Sequence, residues 1–177
     1  MGNLAWHYTT GEKFELILAS GFLKTSRPNM GGRQTERPLV WFTILQRWEL
    51  SASYTGIRNG KLHIYSLKDT KEAGKGLIRL GYPQDSLIPW KDLRSEARIS
   101  PSTQSIFIRE RMVPFQWMGC FTNIPVTDLI IEVFNNDNIW ERRELSSFPV
   151  LSAEAAAERF TELGYSSQTA PTLGLEE

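Results

Sequence analysis

What constrains this chain most is the order in which strand-length and helix-length patterns follow one another. An apolar run at residues 4–8 (LAWHY) reads as a buried strand. A helix follows at once to about Ser20, with Phe14, Ile17 and Leu18 on one face. Thr9 and Glu12 stand at capping-box spacing before it, and Gly21 stands where a left-handed C-cap is wanted. Residues 22–25 return to extended chain, and residues 26–37 form a polar, Gly-containing loop. Residues 38–43 (PLVWFT) predict a core strand, and residues 45–54 have helical spacing through Trp48 and Ala52. Asn59-Gly60 marks a turn between extended runs at 54–58 and 61–67, and residues 76–82 alternate as a further strand.

Short helices are expected at 89–97 and 102–111, a mostly apolar and aromatic stretch at 113–122, a strand at 128–134 (DLIIEVF) and a turn at 135–138. Ser152 caps a last, alanine-rich helix that runs to about Leu163 and stops at Gly164. Strand, helix, strand, helix and then a strand-rich second half is the pattern of an α+β fold, not of a repeating βαβ series. No linker divides the chain, so residues 1–165 are expected to form one domain and the polar residues 166–177 a disordered tail.

Composition removes several classes of function. Twenty basic residues balance twenty acidic ones, which leaves no global field to gather nucleic acid or an anionic membrane. The single cysteine, Cys120, forms no internal disulfide, and no apolar run approaches the ~20 residues that span a bilayer. The amino terminus lacks a signal-peptide pattern, so the expected setting is cytoplasmic. Only His7 and His63 are histidines, and no Cys/His spacing suggests a metal. No GxGxxG follows a strand and no GxxxxGK[ST] occurs, against the dinucleotide-binding and P-loop folds. Six tryptophans are many for this length and are expected in the core and in cleft walls.

His7-Tyr8-Thr9 is the most informative triplet. A histidine at the end of a strand, just before a helix, is held by backbone on both sides and can present one ring nitrogen while the other is fixed. The same triplet also describes a core histidine bonded to a backbone carbonyl. Further along stand Trp41-Phe42-Thr43 and then Ser51-Ala52-Ser53-Tyr54. In this order and spacing the three segments resemble the ADP-ribosyltransferase fold of the diphtheria-toxin and poly-ADP-ribose-polymerase branch. The opening run through Ile17-Leu18-Ala19-Ser20-Gly21-Phe22 resembles the DNA-targeting ADP-ribosyltransferase toxins, and the fold is shared by tRNA 2′-phosphotransferases. The resemblance covers about a third of the chain.

It implies split, mostly antiparallel sheets with short helices around a cleft for NAD, which is the substrate that donates ADP-ribose to a protein or nucleic-acid acceptor. It implies that His7 bonds the adenosine-side ribose, that the main chain of Tyr8 holds the nicotinamide amide, with Thr9 beside it, and that Tyr54 stacks on the ring with Trp41 as the other wall. It implies a toxin, a defence effector or its counter-defence, without selecting one.

Family members place a glutamate third, where it stabilises the oxocarbenium-like state. Here the matching position is Gln116, in Phe115-Gln116-Trp117 ahead of Ile124-Pro125. A glutamine bonds a ribose hydroxyl but carries no negative charge. Glu132, inside the strand at 128–134, is the other candidate for this catalytic role, although a strand residue facing water has the same pattern. Glu110, in the charged run Arg109-Glu110-Arg111, is a third and reads as surface. Arg79, flanked by Ile78 and Leu80, together with Arg33 and Arg37, can receive the NAD pyrophosphate bidentately, Arg79 being equally a water-facing strand residue. Two alternatives remain open: a module that holds NAD or ADP-ribose without turning it over, and an RNA 2′-phosphotransferase built on the same cleft.

Overall fold

A computed structural model describes residues 3–26, 35–58, 61–110, 112–149 and 151–162. The expected opening strand is β1, Leu4–Thr10, and it feeds directly into helix α1, Gly11–Ser20. Gly21 then takes φ +70°, the left-handed C-cap that its lack of a Cβ permits. β2 (Phe22–Leu23) and β3 (Val40–Thr43) follow, then β4 (Thr55–Arg58) and β5 (Lys61–Ile64). Helix α2 is Leu67–Ala73, and β6 is Leu77–Pro83. After β7 (Ile88–Pro89) come the expected short helices, α3 (Trp90–Glu96) and α4 (Pro101–Arg109). The chain continues through β8 (Trp117–Cys120), β9 (Ile124–Pro125), β10 (Ile130–Phe134), β11 (Trp140–Arg143) and helix α5 (Ala153–Glu162).

Seven strands make one sheet in the order β11-β10-β6-β1-β3-β8-β7, every neighbouring pair antiparallel. With helices on its faces this is an α+β architecture. β2 pairs with β9, and β4 with β5, as separate two-stranded sheets. The expected Asn59-Gly60 turn, the end of the last helix at Gly164 and the tail from residue 166 lie outside the described residues.

Registered partners share a face of a sheet, so the pairing sorts the side chains. His7 lies opposite Leu80, and Leu80 opposite Ile131. Leu80 and Ile131 belong to the first core, with Ala5, Phe14, Val40, Phe42 and Ile78, over which α1 lies. Tyr8 lies opposite Arg79, and Arg79 opposite Glu132, on the other face. A second core on that other face gathers Leu39, Leu93, Phe107 and Trp117, with Trp41 and Trp90 packed against it.

Arg79 and Glu132 are not the water-facing strand residues that their polarity suggests. Arg79 is 8% exposed. Its Nε donates to Glu132 Oε2 at 2.7 Å, and its guanidinium lies 3.9 Å from the Trp6 ring and 4.8 Å from that of Trp140. Arg79 is buried, bonded to the half-buried Glu132 and held between two indoles, which is the arrangement a buried charge requires.

The same cluster explains why no helix forms at residues 45–54. A helix needs its carbonyls for i→i+4 bonds. Here Leu45 O accepts from Tyr8 Oη at 2.7 Å, Gln46 O from Arg79 Nη1, and Arg47 O from Trp140 Nε1 at 3.0 Å. Trp6 Nε1 donates to the Gln46 side chain, and Trp117 Nε1 to that of Glu49. The segment is therefore irregular, with one 3-10 turn at Leu50–Ala52.

The capping box expected at Thr9 is also absent. Thr9 is buried in β1, Thr10 takes the N-cap position, and its side chain makes no capping bond. Carbonyls cap the helix instead: Gly11 N donates to Gly76 O at 3.0 Å and Glu12 N to Gly74 O at 3.1 Å. A Cβ on Gly11 would lie 2.3 Å from Lys75 O, so glycine is what lets that turn approach. Helix α2 replaces the end of the extended run expected to Leu67, with Ser66 Oγ accepting from Asp69 N at 3.1 Å.

Removing one member of the Arg79–Glu132 pair leaves the other charge buried. Glu132→Ala is expected to lower unfolding free energy by about 3–5 kcal/mol, while an Arg79→Met/Glu132→Leu double variant retains most of the stability. Urea denaturation of the three proteins checks this. A single-variant loss under about 1 kcal/mol, the size of an exposed pair, would contradict it.

Candidate functional site

The strands β1 and β3 share a single registered pair, Trp6↔Thr43. Past it the ladder stops, and the His7 ring spans the opening. His7 Nδ1 bonds Trp41 O at 2.9 Å, and its ring meets Phe42 edge-on with centroids 6.2 Å apart. A carbonyl only accepts, so Nδ1 carries the proton and the neutral ring keeps an Nε2 lone pair for another partner. Burial lowers the His7 pKa. The bond to Trp41 O opposes that shift, and the charge of Lys13 adds to it.

Tyr54 ends the irregular segment and precedes β4, not on the helix that the spacing of residues 45–54 predicts. Its hydroxyl donates to Glu12 Oε1 at the start of α1, and its amide donates to Thr70 Oγ1 at 3.3 Å. Lys13 lies beside Tyr54. The Lys13 ammonium stands 5.5 Å from the centroid of the Tyr54 ring, and its charge is felt by His7. Burial lowers the Lys13 pKa, with Glu12 offsetting part of the effect. A cation–π contact at that distance contributes about 0.5–1 kcal/mol. Among the described residues Lys13 makes no hydrogen bond or ion pair. The other oxygen of Glu12 is 3.6 Å from Arg159 Nη2 of α5. On its outer side Tyr54 borders an open hollow of about 530 Å³ shared with Thr55, Tyr65, Asp69, Glu72 and Ala73.

The remaining residues fall in three places. Gln116 closes a 3-10 turn, Pro114–Gln116, that runs into β8, one strand beyond β3. Its carbonyl accepts from Ile44 N at 3.0 Å, and its side-chain Oε1 is buried with no hydrogen-bond partner among the described residues. Such an orphan acceptor costs about 1–3 kcal/mol and marks a place where a donor fits. Glu132 and Arg79 are bound to each other on the face opposite His7, so neither meets its imidazole. The Tyr8 ring is on that face too, against Trp48 and Trp140, and its pKa is raised by burial against the opposing bond with Arg79. Only the main chain of Tyr8 adjoins His7 on its own side of the sheet.

The Trp41 ring packs into the second core against Trp117 and Phe107. Arg37 lies over the Phe121 ring, 3.9 Å from its centroid, and Glu110 accepts from Arg109. Arg33 lies outside the described residues. Sequence reasoning passed over Lys13 and Glu12 as site residues, although the first turn of a helix that directly follows the His7 strand is where such partners fall. Among the described residues no group of three or more His, Cys, Asp or Glu could hold a metal ion, and no helix is long and apolar enough to cross a membrane. No family model, curated protein or solved structure matches this chain.

A histidine held neutral in the fold makes stability depend on pH. Its folded pKa lies below the ordinary imidazole value of 6.5, so the unfolded chain binds the proton more readily. Stability is complete above that value and is lost as pH falls below it, toward the folded pKa. In urea titrations at about pH 7.5 and about pH 5, His7→Gln is expected to lose less stability on acidification than the parent. Equal losses in the two proteins would mean that His7 is not the group responsible.

Proposed function

We propose that this chain is an NAD-dependent ADP-ribosyltransferase that modifies a macromolecular acceptor, protein or nucleic acid. The observation that carries the reading is the neutral His7, fixed through Nδ1 on Trp41 O where β1 and β3 part, with Lys13, whose charge adds to the lowering of the His7 pKa, standing over the Tyr54 ring. An Nε2 lone pair accepts a ribose hydroxyl, and the β1 main chain at Tyr8, with no registered partner on the β3 side, suits the paired donor and acceptor of a carboxamide. The aromatic face of Tyr54 suits a flat cationic ring. The buried orphan oxygen of Gln116 suits a second ribose hydroxyl. In the transfer the bond from ribose C1′ to the nicotinamide nitrogen breaks and the electron pair leaves with nicotinamide. The acceptor's nucleophile bonds C1′, and its proton passes to solvent.

A second reading has its own support. Gln116 is neutral and Glu132 is engaged by Arg79, so neither offers a free carboxylate to developing positive charge. On this reading the cleft holds NAD or ADP-ribose without turning it over. A 2′-phosphotransferase is less well supported, because Arg79 and Arg37 are engaged elsewhere.

Isothermal titration with NAD is expected to show binding that His7→Ala and Tyr54→Ala abolish. Absence of binding to the parent protein would remove both the transferase and the binding-module reading. Nicotinamide release over hours, with and without acceptor, separates the two. Release that falls in Gln116→Ala and rises by about tenfold or more in Gln116→Glu marks a transferase. Tight binding with no release marks the module.

A further inference from the structure

We propose that Lys13 receives a phosphate oxygen of the bound ligand, so that the site requires a phosphate-bearing nucleotide and discriminates against the corresponding nucleoside. The inference rests on the reading of the cleft between His7 and Tyr54 as a nucleotide site. Three observations on Lys13 lead to it.

The first is position. Lys13 lies in the first turn of α1, where its ammonium stands over the Tyr54 ring and within electrostatic reach of His7. A ligand stacked on the Tyr54 ring therefore meets the Lys13 ammonium. The second is its lack of a partner. Its side chain is partly buried, yet among the described residues it has neither a hydrogen bond nor an ion pair. Glu12, the nearest candidate, directs one oxygen to the Tyr54 hydroxyl and the other toward Arg159. An ammonium drawn from water with no anion hydrogen-bonded to it is unfavourable, and a phosphate oxygen offsets that.

The third is the engagement of three other cations. Arg79 is bonded to Glu132 on the opposite face, Arg37 lies on Phe121, and Lys71 donates to Asn135 O at 2.9 Å. The pyrophosphate contact that the sequence places on arginine thus falls to a lysine, a compact point charge without the two-pronged geometry of a guanidinium.

The test titrates NAD, nicotinamide riboside and inorganic pyrophosphate into the parent protein, Lys13→Gln and Lys13→Arg. Support consists of Lys13→Gln weakening NAD and pyrophosphate by about tenfold or more, leaving nicotinamide riboside unchanged, and Lys13→Arg recovering most of the loss. Unchanged riboside binding shows that the variant is folded. If Lys13→Gln binds NAD and pyrophosphate like the parent, the inference is overturned and the proposed function stands. If pyrophosphate binds through Lys13 and NAD does not bind, the phosphate contact stands and the ADP-ribosyl reading fails. If neither binds the parent, both are overturned.

Discussion

The guanidinium of Arg79 organises this molecule more than any other single group. It is bonded to Glu132, flanked by Trp6 and Trp140, and donates to the Gln46 carbonyl. Through those contacts one strand of the sheet holds its neighbours and the irregular segment that crosses them. Tyr54 stands at the end of that segment, so the position of its ring depends on charges buried on the other face. The pair is costly to desolvate, and its full set of partners is what makes it tolerable there.

The division of the sheet into two chemical faces follows from the same arrangement. One face carries the first core, α1 and the neutral imidazole of His7. The other carries the second core and the arginine–tryptophan cluster. Tyr8 contributes to both, its ring to the cluster and its main chain to the edge where β1 and β3 part. A candidate cleft formed in this way draws on backbone geometry as much as on side chains. The amide oxygen of Gln116 without a hydrogen bond among the described residues and the Lys13 ammonium over Tyr54 make different demands, one for a donor and one for an anion.

Much of the fold was legible in the sequence because it rests on local signals. The strand before α1, the glycine that ends it, the alternation in β6 and β10 and the proline-led start of α3 are written in neighbouring residues. The failures have long-range causes. Residues 45–54 carry helical spacing, but their carbonyls are claimed by Tyr8, Arg79 and Trp140, which no local pattern reveals. Thr9 and Glu12 have the spacing of a capping box, but carbonyls more than sixty residues away take the amides. The opposite case is α2, whose Ser66 and Asp69 give a local signal that the preceding extended run hid. For the site, the order of His7, Trp41, Tyr54 and Gln116 was visible, whereas the sides of the sheet they occupy depend on register. Register placed the Trp41 ring and Glu132 across the sheet from the imidazole.

The clasp on residues 44–53 grips mostly peptide oxygens, and every residue type supplies those. Identity is demanded of the gripping side chains and of Gln46 and Glu49, which take the Trp6 and Trp117 indoles, but much less of residues such as Arg47, which is exposed. A loop anchored by its backbone can exchange its outward side chains while keeping its course. The fold thereby separates a backbone course that stays fixed from outward side chains that are free to change.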